Sequence, residues 1–271
     1  MAKKMDARQY IRIRGANENN LKNINVDFPL GVMTCVTGVS GSGKSSFVGE
    51  ILYKKLAAEL NGAKTRPGAF DGIEGLENLD KVIDIDQSPI GKTPRSTPAT
   101  ATGLLQVLRP LYAQLPLSKQ RGYTAARFSP NIRGGRCERC QGTGMIEVDM
   151  NFLGNVAMPC DACQGQCYNR ETLEVTWKGK SIAQALALTV DEAAEFFSSL
   201  PRAAAILKSM QDVGLGYLSL NRRADTLSGG ESQRIKIAAE LAKAPAWKLE
   251  EDGKRALFIL CLLYTSDAAD D

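Results

Sequence analysis

The stretch "VTGVSGSGKSS", residues 36–46, decides the fold. Gly38, Gly43, Lys44 and Ser45 fit the pattern G-x-x-x-x-G-K-[ST], in which glycines let successive backbone N–H groups turn toward a bound polyphosphate. The flanks suit that reading. "VMTCV" (32–36) is a β-rich apolar run that predicts a strand entering the loop. "SSFVGEILYKKLAAEL" (45–60) predicts a helix with Phe47, Ile51, Leu52 and Leu56 on one face. The positive end of that helix would face the phosphates. Lys44 would pair with the β/γ-phosphates and the Ser45 hydroxyl would coordinate magnesium. Gly38, Val39, Ser40, Gly41, Ser42, Gly43, Lys44, Ser45 and Ser46 therefore make up a candidate ATP site. Cys35, inside the entering run, reads as a small buried apolar residue.

A second glycine turn opens a second helix in "TLSGGESQRIKIAAELAKA" (226–244). Gly229 and Gly230 would expose backbone N–H groups at a helix start, another anion-binding terminus. Read alone, the same residues describe an ordinary capped helix, with Ser228 as N-cap and Glu231 three positions on.

The cysteines form the third pattern. Cys137-x-x-Cys140 and Cys160-x-x-Cys163 are two knuckles at the spacing of a closed, structural Cys₄ zinc site. The intervening "QGTGMIEVDMNFLGNVAMP" alternates as a β-hairpin whose base the metal would clamp. Cys167 reads as a spare fifth thiol, with exchange for Cys163 as a ligand the alternative. Seven cysteines and no histidine argue against a disulfide framework and exclude histidine-based catalysis and ligation.

Composition bounds the rest. Hydrophobic content of 44% and charged content of 24% in 271 residues fit a globular chain of one large or two ordinary domains. The polar N-terminus lacks the apolar stretch of a secretory signal, and no apolar run reaches spanning length, so a cytoplasmic location without membrane contact is expected. Between Ser88 and Cys140 nine basic residues face one acidic residue, Glu138. Such an excess suits a polyanion or a solvated face balanced by acids elsewhere.

Taken together, the phosphate loop and "LSGGESQR" (227–234) resemble the paired nucleotide motifs of ABC-type ATPases. "VIDIDQSPIGKTPRSTPATATG" (82–103), "RGANENNLKNINVDFPLGVMTCVTGVSGSGKSS" (14–46) and "CYNRETLEVTWKGKSI" (167–182) resemble one branch of them, the UvrA family of DNA-damage-recognition ATPases. The resemblance covers Ile11 to about Leu260 and is closer to the C-terminal of that family's two nucleotide-binding halves. It implies an α/β fold, an ABC-type P-loop core split by a signature and insertion domain carrying the Cys₄ module. Residues 1–87 would begin the core and 88–225 form the insertion, with the zinc module at about 130–170. Residues 226–260 would return to the core and 261–271 form a tail outside the family pattern.

The resemblance further implies ATP, Mg²⁺ and Zn²⁺ as cofactors. Gln87 would sense nucleotide and metal. Leu227, Ser228, Gly229, Gly230 and Glu231 would complete a site whose phosphate loop lies in the other half of the molecule. Lesion-bearing duplex DNA would be held on phosphates by Lys92, Arg95, Lys119, Arg121, Arg127 and Arg133. The implied partners are a UvrB-type helicase-like subunit, the N-terminal half of the same ATPase and a second copy in a homodimer. A transporter-type ABC subunit would share the nucleotide motifs without needing the cysteine module. A zinc-dependent nucleic-acid or chaperone module, which "CERCQGTG" (137–144) also resembles, would leave the phosphate loop unexplained.

"RALFILCLLYTSDAADD" (255–271) departs from the family pattern. Residues 255–260 predict a buried strand, after which the family places an Asp for magnesium and a Glu for the attacking water. Cys261, Leu262 and Leu263 stand there instead, so no catalytic carboxylate is assigned and hydrolysis is expected to be lost. The expectation is a core incomplete at its C-terminus, with an unprotected sheet edge. An abrupt change within one strand favours unrelated residues joined to a truncated frame over a degenerate natural ATPase.

Overall fold

The computed structural model describes residues 10–91, 93–149, 155–243 and 256–261. Lys92, the tip of the cysteine hairpin and most of the C-terminal tail lie outside the described residues. The chain divides into two units between Asp86 and Gln87, and the strand at residues 256–260 returns to the first.

In the first unit β1 (Tyr10–Ala16) pairs antiparallel with β2 (Ile24–Pro29) and with β3 (Gly72–Glu74), in the order β2-β1-β3. Alternation along β1 explains the pairing. Ile11 and Ile13 are buried, while Arg12 and Arg14 reach Glu74 and Asp27 on the neighbouring strands at 3.6 and 2.5 Å. The helix after the phosphate loop winds in π form over Ser46–Tyr53 and continues as α1 (Lys54–Leu60). It buries Phe47, Ile51, Leu52 and Leu56 in one cluster with Ile11 and Ile13, the face expected from the sequence. β4 (Lys81–Ile85) pairs in parallel with the final strand, Ala256–Leu260, from Lys81↔Ala256 to Ile85↔Leu260.

Two expectations fail in this unit. Residues 33–37 form no strand, and Cys35 is exposed rather than buried. Met33 is 89% exposed. Extended backbone becomes a strand only when a ladder partner takes up its N–H and C=O groups, and β-propensity alone supplies none. The final strand forms, but only Ile259 of it is buried, whereas Phe258 and Leu260 face outward. A two-stranded sheet covered on one side buries alternate residues, not the whole run.

The second unit is mostly helical. Its elements are α2 (Pro98–Ala101), α3 (Leu104–Ala113), α4 (Pro116–Gln120), the hairpin β5 (Met145–Asp149) and β6 (Asn155–Pro159), and α5 (Arg170–Leu173). There follow the short hairpin β7 (Thr176–Trp177) and β8 (Lys180–Ser181), then α6 (Ile182–Ala187), α7 (Val190–Phe196), α8 (Pro201–Asp212) and α9 (Gly229–Lys243). Helix starts are written locally. Thr97, Ser181 and Thr189 each close a capping box with the residue three ahead, and Pro98, Pro116 and Pro201 occupy first-turn positions. One core joins Leu104, Leu108, Tyr112, Phe128, Ile182, Leu207 and Ile235, all fully buried. Ile235 brings the helix that starts at Gly229 into this core. Among the described residues no helix is long and apolar enough to cross a membrane.

Candidate metal centre and nucleotide loops

The two C-x-x-C knuckles meet at the base of the β5–β6 hairpin. The hairpin register runs from Met145↔Pro159 to Asp149↔Asn155, which sets Cys160 just outside its base, where its amide donates to the Gly144 carbonyl at 2.9 Å. All four thiols are buried, and their Sγ atoms lie within 4.8 Å of one another. Cys137 and Cys160 are 3.9 Å apart and Cys140 and Cys163 3.6 Å apart. A tetrahedral quartet around zinc at about 2.3 Å has edges of about 3.8 Å, so the donor set fits the ion.

The backbone around the quartet is specified residue by residue. Gly142 has φ +84°, and a Cβ there would stand 2.0 Å from the Pro130 carbonyl oxygen, so no other residue fits. The Gly144 amide donates to Cys140 Sγ at 3.3 Å. Burial opposes ionisation of Cys140, yet hydrogen bonds from the Gly144 and Gly142 amides and from the Cys163 and Cys137 thiols together outweigh it and draw that thiol below its ordinary range. Burial pushes Cys137 and Cys163 up. Cys167 stands outside the quartet: its carbonyl accepts from the Cys137 amide at 2.9 Å, and burial raises its thiol to about 11. Cys167 thus contributes to the knuckle through its backbone.

The phosphate loop is exposed, and Lys44 folds back over it. Lys44 Nζ donates to the carbonyls of Gly38 and Val39 at 2.6 and 2.8 Å. These carbonyls, with Ser42 Oγ at 3.4 Å, hold the ammonium against the loop itself. The loop is braced by residues that motif reading missed. Asn20 Nδ2 donates to the Gly41 carbonyl, and Asn19 Nδ2 donates to Ser46 Oγ at 3.1 Å. The signal available in the sequence was the polar turn "NENN" (17–20) between two strands.

The second glycine turn forms the expected cap. The Glu231 amide donates to Ser228 Oγ at 3.1 Å, and the Ser228 amide donates to Glu231 Oε2 at 2.8 Å. Tyr217 adds a third bond, its hydroxyl donating to Glu231 Oε1 at 2.9 Å. The Ser228 amide, helped by Tyr217, holds the Glu231 carboxyl below its usual range despite burial. No pattern in the sequence pairs Tyr217 with Glu231. Gln87 lies across the same turn: a Cβ on Gly229 would meet Gln87 Oε1 at 3.1 Å. Ser88 and Lys236 make the neighbouring contact, Nζ to Oγ, at 2.7 Å.

No model of a protein family matches the sequence. Similar whole proteins are found. The UvrABC system protein A of Staphylococcus epidermidis (strain ATCC 35984) is 59% identical over 233 residues, covering 86% of this chain and 25% of that protein. Its counterpart in Staphylococcus aureus (strain Mu50) is 54% identical over 261 residues, covering 96% and 27%. The crystal structure of UvrA2 from Deinococcus radiodurans superposes with a TM-score of 0.83 at 46% identity, covering 94% of this chain and 30% of that one. The chain belongs to the UvrA family. It spans about a quarter of the length of the curated relatives it matches.

In this UvrA-family chain the basic residues proposed for DNA differ in availability. Lys119 and Arg133 are exposed. Arg121 pairs with Glu174 at 2.6 Å. Arg127 stacks 3.8 Å above the Tyr123 ring and donates from Nε to Thr172 Oγ1 at 3.1 Å. Arg95 donates to the Gln141 carbonyl at 3.0 Å, which ties it to the cysteine knuckle. Outside that set, Arg139 pairs with Asp161 at 2.7 Å. Part of the local basic excess is therefore neutralised by acids from later in the chain. At the end of the final strand the Cys261 amide donates to the Ile85 carbonyl at 3.2 Å, which carries the pairing with β4 one residue past Leu260.

Proposed function

We propose that the chain is an ATP-, zinc- and DNA-binding segment of a UvrA-type protein that recognises DNA damage in nucleotide excision repair. The observation that carries this reading is the coexistence of three parts in one chain. They are a phosphate loop with its lysine held over it, a signature turn closed by Ser228 and Glu231, and a buried cysteine quartet with the edges of a zinc site. A transporter-type subunit has no use for the third, and a bare zinc module has no use for the first.

In this proposal Gly38 to Ser46 hold the phosphates of ATP, Ser45 supplies a hydroxyl to Mg²⁺, and Gln87 reports the nucleotide state to the signature turn on which it lies. Leu227 to Glu231 serve a phosphate loop in the N-terminal half of the same ATPase. Zinc would be held by Cys137, Cys140, Cys160 and Cys163, where it fixes the hairpin rather than taking part in a reaction. Lys119 and Arg133 lead the contacts to duplex phosphates, with Lys92, Arg95, Arg121 and Arg127 beside them. Damage is then read through the deformability of the duplex and not through base edges. The protein works in the cytoplasm, as a homodimer, and passes DNA to a UvrB-type subunit. The chain binds nucleotide without hydrolysing it, because Cys261, Leu262 and Leu263 follow the final strand where carboxylates would be needed.

Filter binding of the zinc-loaded chain to undamaged and lesion-bearing duplex, repeated after chelation, tests the reading. Preferential retention of the lesioned duplex that is lost on chelation is expected. Retention of neither DNA would refute it.

A further inference from the structure

The turn between β1 and β2 is anchored on one side and grips the phosphate loop on the other. On the anchored side the Asn17 amide donates to the Ala69 carbonyl at 2.9 Å, and the Ala69 amide donates to Glu18 Oε2 at 2.7 Å. On the other side two consecutive amide side chains reach the loop. Asn20 takes up the Gly41 carbonyl and Asn19 the Ser46 hydroxyl. Asn19 sits at φ +54°, a left-handed conformation that asparagine tolerates better than most residues. Leu21 is buried, and a Cβ on Gly43 would stand 2.7 Å from its Cδ2 and 3.1 Å from Asn20 Oδ1. The turn therefore approaches the loop as closely as a glycine permits.

We infer that Asn19 and Asn20 are positioning residues of the nucleotide site, which rests on the reading of Gly38 to Ser46 as that site. A carbonyl turned toward a polyphosphate repels it, whereas an N–H attracts it. By donating to the Gly41 carbonyl, Asn20 fixes that dipole away from the anion and sets the shape in which the loop's amides converge. Asn19 does the same for the hydroxyl of the second serine after Lys44. The chemistry required is a neutral donor. An aspartate at position 20 has the same shape but offers no N–H and places a negative charge beside the phosphates.

The test compares Asn20→Ala, Asn20→Asp and Asn20→Gln in the zinc-loaded 271-residue chain. One readout is affinity for fluorescent ATP, ADP and AMP analogues. The other is amide hydrogen exchange over residues 40–46 without nucleotide. Loss of one such hydrogen bond corresponds to about a fivefold weaker ATP affinity for Asn20→Ala. Asn20→Asp should weaken binding further, most for ATP and least for AMP, because the added repulsion grows with phosphate charge. Asn20→Gln should recover most of the affinity, and exchange should accelerate in Asn20→Ala alone of the neutral pair. Unchanged exchange in Asn20→Ala, or an Asn20→Asp effect independent of phosphate number, would overturn the inference while wild-type binding leaves the site itself standing. A wild-type chain that binds none of the three analogues overturns both.

Discussion

The cysteine module and the phosphate loop are built in opposite ways. The quartet is buried, with its four Sγ atoms gathered inside 4.8 Å by a hairpin and two knuckles. Its glycines leave no freedom: Gly142 abuts the Pro130 carbonyl at what would be 2.0 Å. The phosphate loop is exposed, its entering run makes no strand, and its main brace is the asparagine turn on one side. One site is complete within about thirty residues, so its geometry is over-determined. The other is held by contacts from residues more than twenty positions away, Asn20 on the Gly41 carbonyl and Asn19 on the Ser46 hydroxyl.

Removing the metal should break the comparison hardest. Structural zinc contributes apparent folding free energy on the order of 10 kcal/mol in small modules. Chelation, or Cys160→Ser, is expected to abolish metal binding measured by elemental analysis. The hairpin amides should then lose hydrogen-exchange protection, while those of α1 and β1 keep theirs. Equal loss in both units would contradict the independence of the module. Gly142→Ala follows, with an expected cost of about 3–4 kcal/mol in urea unfolding of the second unit, because backbone and not a flexible side chain must move. A change under about 0.5 kcal/mol would show that the knuckle is looser than its geometry implies.

The signature cap gives the smallest effect and sharpens the contrast from the other side. Glu231→Ala removes the bond that its carboxylate accepts from the Ser228 amide and the Tyr217 contact, leaves the backbone amide of residue 231 on Ser228 Oγ, and should cost about 1 kcal/mol at neutral pH. The sign of its pH dependence follows from the lowered Glu231 pKa. The contribution is full above the ordinary value of 4.5 and is lost as pH falls through the lower folded value. Wild type and variant should therefore converge in acid. A gap that widens on acidification would contradict the assignment.

What could be read in the sequence follows the same division. The Cys₄ site, the β5–β6 hairpin, the helix after the phosphate loop and the Ser228–Glu231 box were legible because each depends on residues close in sequence. The exposure of Cys35 and Met33 was not, since a β-rich run says nothing about whether a ladder partner exists. Nor was the pairing of Arg121 with Glu174 or of Arg139 with Asp161, because a count of basic residues cannot see acids folded back from later positions. The bracing by Asn19 and Asn20 was not legible either, for their partners lie more than twenty positions away. Residues 226–260 read as one returning segment. The helix at Gly229–Lys243 packs through Ile235 and Ala238 into the core of the second unit, and the strand Ala256–Leu260 pairs in the first.

Nucleotide binding and turnover measured together on the zinc-loaded chain test the central claim most directly. The account predicts saturable binding of labelled ATP that Lys44→Ala weakens by at least about tenfold, since a charge-assisted contact of ~1.5–3 kcal/mol is lost. It also predicts phosphate release no faster than that of the variant. Sustained release from the wild-type chain that Lys44→Ala abolishes would contradict it.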